Sequence, residues 1–229
     1  MAVAWSPKLR IVRHGTEQEP VIVIDDYARD PERLIEDAAR LEYRRNANYF
    51  PGVRAPLPPA LAGSIRDSLE PLVRETFGLA EPLNRLEAYY SLITTPPDKL
   101  DLLQRLPHFD GVGPTRIAIL HHLSRAGRGG TAFYRHRSTG FETITAERLP
   151  IYNRVVNEEF HRHGLPDPGY IGGDTPIYQQ IARYEARFNR LLVYRGDTLH
   201  SAEVPPDLPL TADPRTGRFS INLFIWLQS

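Results

Sequence analysis

The sequence predicts a mainly β protein with flanking helices, arranged as an antiparallel sandwich or jelly roll. Three observations carry this. Two apolar-periodic helical stretches lie before residue 84, and a succession of short β-rich runs follows it. The 21 prolines and 16 glycines punctuate the chain too often for long helices. The final run, Arg218–Leu227, alternates strictly. Phe219, Ile221, Leu223, Ile225 and Leu227 share one side, and Arg218, Ser220 and Asn222 open the other, followed by Phe224 and Trp226.

Taken in order, Leu9–Arg13 and the β-branched Val21–Ile24 read as strands. Asp30 is an N-cap ahead of Pro31 at the first helical position, and Leu34, Ile35, Ala38 and Leu41 give that helix an apolar stripe. A second helix follows Pro58-Pro59, with Leu61, Ile65, Leu69, Leu72 and Val73 inward and Gly78 as its stop. Strands are expected at Arg85–Ile93, Arg116–Leu123, Thr131–His136, Arg190–Tyr194, Thr198–Val204 and Arg218–Leu227. A helical insertion over about residues 145–187 interrupts them, with one helix at roughly Ala146–His163 and a shorter one at Thr175–Tyr184. No linker is visible, so residues 1–229 read as one domain: an α/β support region over 1–83 and a β core over 84–229.

Composition narrows the function. Lys+Arg and Asp+Glu are both 28, so the net charge is zero and a global nucleic-acid surface is not expected. With no cysteine, disulfides, thiol nucleophiles and Cys-ligated metals are excluded. No apolar run approaches the roughly 18 residues of a membrane span, and the N-terminus lacks the apolar core of a signal peptide, which leads to the expectation of a soluble cytoplasmic protein. Lysine occurs only at Lys8 and Lys99, so a buried cation here is arginine, suited to bidentate carboxylate or phosphate binding.

Three segments could carry chemistry. In an extended His108-Phe109-Asp110, the imidazole and carboxylate point to the same side and could grip one metal. Alone, the segment also reads as a surface turn before Gly111. His200 follows a strand and the Gly196-Asp197 turn, a position at a barrel mouth or that of an ordinary half-buried histidine. Arg218, if inside, needs a carboxylate from the protein or from a ligand, because an unpaired buried guanidinium is costly. Gly129-Gly130 marks a tight turn but lacks the following helix of a phosphate loop. Together, His108, Asp110 and His200 make up the 2-His-1-carboxylate set that leaves open positions on Fe(II).

The order His108-Phe109-Asp110, Gly129-Gly130-Thr131-Ala132-Phe133, Leu199-His200-Ser201 and Arg218-Phe219-Ser220 resembles the Fe(II)/2-oxoglutarate-dependent dioxygenases. The nearest group is the prolyl-4-hydroxylase-like one, in a bacterial branch. The resemblance runs from about Asn84 to the C-terminus. It implies a double-stranded β-helix of cupin-like form, with His108, Asp110 and His200 as iron ligands. Arg218, assisted by Ser220, would meet the distal carboxylate of 2-oxoglutarate. Tyr90 falls where relatives carry a cosubstrate-contacting tyrosine, and His122 falls where they place another. O2 would be the co-reactant. Related halogenases replace the carboxylate ligand with a small residue, so the retained Asp110 points to a hydroxylase, acting on a small molecule or a peptide side chain. Two other readings stay open: a cupin-like metalloenzyme that does not use 2-oxoglutarate, and a non-enzymatic jelly-roll binding module. His161 and His163, two apart on a helix, do not face together and read as solvated surface. Arg135-His136-Arg137 is either a substrate-side basic cluster or a solvated strand end.

Overall fold

The computed structural model describes residues 5–45, 49–125 and 129–227. Among the described residues, ten strands form two antiparallel sheets: β1 (Lys8–His14), β2 (Glu19–Asp25), β3 (Gly52–Pro56), β4 (Arg85–Ile93), β5 (Ile117–His122), β6 (Gly130–His136), β7 (Tyr178–Glu185), β8 (Arg190–Arg195), β9 (His200–Glu203) and β10 (Arg218–Trp226). The major sheet runs β1-β2-β8-β5-β10-β4-β3, and the minor sheet runs β7-β6-β9. Their facing sides pack through Val21, Val23, Ala118, Leu120, Phe133, Leu192 and Tyr194. The strand order is the jelly-roll-like one, in which non-consecutive strands neighbour each other.

Helices α1 (Pro31–Ala38) and α2 (Pro59–Phe77) cover the outer face of the major sheet. Asp30 caps α1 by accepting a hydrogen bond from the Arg33 amide at 3.1 Å. Gly78 ends α2 with φ +65°, a left-handed conformation that glycine adopts without steric cost. Ile35, Ile65, Leu69 and Val73 meet the even-numbered residues of β2 and the odd-numbered apolar residues of β10, among them Ile22, Ile221 and Leu223, all essentially without solvent contact. The expected alternation of the last strand is therefore the partition between two cores. Leu41 lies beyond α1 and is exposed. Helix α3 (Leu149–His163) lies on the outer side of the minor sheet, through Tyr152 and Val156 against Ala132, Tyr134 and Tyr178.

One expectation is corrected, and one strand appears that the sequence did not announce. Thr175–Tyr184 is not a helix; Tyr178–Glu185 is strand β7, paired along β6 with a bulge at Phe133/Tyr134. Its periodicity fits either state, and the unpaired backbone edge of β6 decides for strand. Gly52–Pro56, which carries no strand signal of its own, pairs with β4 as the sheet edge.

Candidate metal centre and cosubstrate pocket

The site is built where β9 meets the segment ahead of β5. The backbones of His108 and His200 exchange two hydrogen bonds, each 2.8 Å, which brings their rings together, tilted by 51°, at 4.3 Å between centroids. The Asp110 amide donates to the Gly196 carbonyl at 2.6 Å. A Cβ at Gly196 would come within 3.2 Å of the Asp110 Cβ and the Arg116 Cγ, so this approach is made by the absence of a side chain. One donor atom from each of His108, Asp110 and His200 lies within 4.8 Å of the others. His200 Nε2 is 3.7 Å from Asp110 Oδ2, and His108 Nε2 is 3.9 Å from Asp110 Oδ1.

The chemistry of these donors fits a divalent cation. His200 Nδ1 sits 2.8 Å from the Thr198 carbonyl. A carbonyl only accepts, so Nδ1 carries the proton and the Nε2 lone pair is free for a metal. Burial lowers the His200 pKa to about 4, which keeps that lone pair available at neutral pH. Asp110 Oδ2 is buried without a hydrogen bond among the described residues. Burial pushes the Asp110 carboxyl above the usual range, opposed by His108, Arg116 and Arg54. An orphaned buried carboxylate is unfavourable by itself, and a bound cation removes that cost.

The inner face of the major sheet continues this pocket. Arg218 is buried, donates from Nη2 to the Gly130 carbonyl at 2.8 Å and leaves Nε without a partner. Burial lowers its pKa to about 10, so it stays charged at neutral pH. Ser220 pairs across the sheet with both Ser91 and His122, in one row of the inner face. Its hydroxyl donates to Asn222 Oδ1 at 2.7 Å. His122 is buried with Nε2 unpartnered, and burial followed by the charge of Arg218 holds it well below the ordinary imidazole range. Ser91 Oγ and Thr131 Oγ1 are likewise buried and unpartnered. Several such orphaned polar atoms gathered between the two facing sheets mark a place that suits a polar ligand.

Tyr90 is the expected site residue that the fold does not bring here. Opposite Ile221 and stacked on Phe219 at 5.7 Å, it belongs to the core beneath α1 and α2. The residues sequence reasoning missed are Gly196, Tyr194, whose ring lies 4.8 Å from that of His200, and Tyr170, whose hydroxyl donates to the Thr95 carbonyl at 2.7 Å on the Arg218 side. Tyr194 had a signal: it shares strand parity with Arg190 and Leu192, two residues before the turn that holds Asp110. The basic run 135–137 is not a substrate cluster. Arg135 pairs with Glu142, buried His136 with Glu159 at 2.7 Å, and Arg137 with Asp174 at 2.7 Å. His161 and His163 are exposed at the end of α3. Among the described residues no helix is long and apolar enough to cross a membrane.

Comparison with solved structures agrees on the fold. HygX from Streptomyces hygroscopicus, solved with nickel and 2-oxoglutarate bound, superposes with a TM-score of 0.51 at 14% identity, over 92% of this chain and 84% of that one. A prolyl-4-hydroxylase from Pseudomonas putida gives 0.47 at 12% identity, over 93% and 95%. No curated protein matches. The family model of DUF6445, a family of unknown function, matches residues 5–225, and the chain belongs to that family.

Proposed function

We propose that the protein is a non-haem Fe(II)- and 2-oxoglutarate-dependent oxygenase, a hydroxylase of a small molecule or a peptide side chain. The observation that carries the reading is the combination of the His108, Asp110 and His200 donor set with the buried, incompletely partnered Arg218 on the same inner face. Iron with 2-oxoglutarate and O2, when bound, would supply the oxidising power to insert oxygen into a C–H bond.

The chain's own residues would divide the remaining work. His108, Asp110 and His200 would hold the metal, with the Thr198 carbonyl and the Gly196 carbonyl orienting His200 and Asp110. Arg218 would receive the distal carboxylate of 2-oxoglutarate through its free N–H groups, with Ser220 and neutral His122 beside it. Tyr194 and Phe133, ring against ring at 5.1 Å, would close the pocket floor to water.

The test is an anaerobic titration of the protein with Fe(II) and 2-oxoglutarate. A visible metal-to-ligand charge-transfer band is expected in the wild type and none in Asp110→Ala. Iron binding without the band would leave a cupin-like metalloenzyme that does not use 2-oxoglutarate. No iron binding at all would remove the proposed function.

A further inference from the structure

The candidate metal centre opens to solvent on one side. The His108 side chain is 51% exposed, against 12% for Asp110 and 5% for His200. Residues 94–107 span that side. They leave β4 in the major sheet and arrive at His108, which is bridged to His200 on β9 of the minor sheet. The two ends of this span match the two ends of the pocket. Thr95 lies two residues beyond Ile93, the partner of Arg218. Leu106 lies two residues ahead of His108.

A second segment, residues 164–173 between α3 and β7, is tied to the first. Its ends turn at Gly164 and Gly173, with φ +82° and +66°, which glycine adopts without steric cost. Near His108 the tie is apolar. Ile171 and Leu106 are both buried in the core outside the minor sheet. Arg105 adds a reach to the Pro166 carbonyl at 3.4 Å while holding the Leu100 carbonyl at 2.8 Å. At the Arg218 end the tie is polar: the Tyr170 hydroxyl donates to the Thr95 carbonyl at 2.7 Å. Thr95 is itself pinned, because its amide donates to the Pro51 carbonyl at 3.2 Å, next to the Gly52 that pairs with Ile93. Tyr170 thus joins a connection of the minor sheet to the β3–β4 edge of the major sheet, at the end where Arg218 lies. Parting the apolar tie exposes buried surface, whereas one neutral hydrogen bond is readily exchanged for water. The segment is firm at Ile171 and releasable at Tyr170.

We propose that residues 164–173 are a strap over the Arg218 end of the pocket and that the Tyr170 hydroxyl is its latch. With Tyr170 on Thr95 the two sheets are joined and that end is shut. When the bond parts, the strap turns at its glycines and admits a carboxylate to Arg218. The latch sets how fast the carboxylate enters and leaves, not how tightly it is held. Assigning that carboxylate to the cosubstrate rests on the oxygenase reading, whereas the strap and its latch rest on the geometry alone.

Tyr170→Phe removes the latch hydroxyl and keeps the ring. Two measurements compare it with the wild type. In metal-free protein, amide hydrogen exchange over residues 94–107 and 164–173 is followed by mass spectrometry, with α2 as the reference. In Fe(II)-loaded protein, growth of the charge-transfer band after anaerobic rapid mixing with several concentrations of 2-oxoglutarate gives the rates of entry and release. Loss of one ordinary hydrogen bond corresponds to roughly fivefold more opening. Exchange over 164–173 is therefore expected to quicken by about that factor with α2 unchanged, and entry and release should rise together with their ratio preserved. Arg105→Gln cuts the Pro166 tie, should act in the same direction, and decides alone if Tyr170→Phe does not fold. Faster exchange with unchanged entry and release overturns the gate. So does weaker 2-oxoglutarate binding with an unchanged rate of entry, which would make Tyr170 a direct contact. A band in the wild type with exchange and rates unchanged in the variants overturns the latch and leaves the oxygenase reading standing. No band in the wild type with faster exchange in the variants overturns the oxygenase reading and supports the latched strap. No band and unchanged exchange overturn both.

Discussion

Arg218 is the side chain on which the proposed cosubstrate pocket turns. Buried beside neutral His122, it has one carbonyl partner and keeps its charge. A charge-assisted hydrogen bond contributes on the order of 1.5–3 kcal/mol, which corresponds to about tenfold to a hundredfold in affinity. Arg218→Ala is therefore expected to raise the 2-oxoglutarate concentration for half-saturation by about that factor while iron affinity changes little, as read by the charge-transfer titration. An unchanged requirement would reassign Arg218 to clamping β10 onto Gly130. The residues of this site that were legible in the sequence are those with a chemical identity and a fixed local spacing: His108 with Asp110, His200 after its turn, and Arg218 at the head of an alternating strand. Tyr90 shows where legibility stops. Local alternation divides β4 into two faces but does not say which face is inner. That depends on the register with β10, where Ser91 meets Ser220 and Tyr90 meets Ile221. A shift of one residue would have exchanged them.

Among the elements, α2 carries an internal flaw that can be measured. Pro71 lies inside it on the exposed side. Lacking an amide hydrogen, it leaves the Asp67 carbonyl without its helical partner. Pro71→Ala restores that bond, at the cost of a more flexible unfolded chain. The net expectation is a gain of about 1–2 kcal/mol and a melting temperature several degrees higher, checked by thermal and urea denaturation. A loss of stability would instead mean that the local bend at Pro71 is what seats Leu69 and Val73 against the sheet. The elements divide as the site residues do. Helices α1 and α2 were readable because Asp30, Pro31 and Gly78 terminate them with local chemistry. Strands β3 and β7 were not, because what makes them strands is the open edge of β4 and of β6 beside them. Edge strands inherit their state from a neighbour distant in sequence, and no window along the chain contains that neighbour.

For the whole molecule, the arrangement of buried imidazoles sets a limit on the acid side. His121 lies on the helix-facing side of β5, away from the candidate metal centre. It is 1% exposed, hydrogen-bonded to Asn189 Oδ1 at 2.9 Å and edge-on to Tyr27. Burial lowers its pKa from 6.5 to about 4, against the Asn189 hydrogen bond, which raises it. In the unfolded chain this imidazole takes up a proton near pH 6.5, whereas in the folded chain it stays neutral until about pH 4. The unfolded state thus binds more protons in that window, and the stability contribution, complete above pH 6.5, is lost as the pH falls. A shift of this size corresponds to about 3 kcal/mol for His121 alone. His200 works in the same direction. Asp197 works in the opposite one. Its carboxyl is raised from 3.8 to about 6 by burial, so its contribution is present at low pH and lost as the pH rises through 6. His14 and His122, also lowered by burial, add to His121 and His200, whereas the raised carboxyl of Asp110 joins Asp197, so the imidazoles outnumber the opposing carboxyls. The expected result in metal-free protein is an unfolding free energy that falls steadily from pH 7 to pH 4.5, measured by urea denaturation at fixed ionic strength. His121→Gln keeps an amide for Asn189 but cannot titrate. It should lower stability at pH 7 through lost packing against Tyr27, yet flatten the slope between pH 6.5 and 4.5. A variant slope equal to that of the wild type would show that His121 does not titrate with folding, and the acid sensitivity would then belong to His200 and the pocket around it.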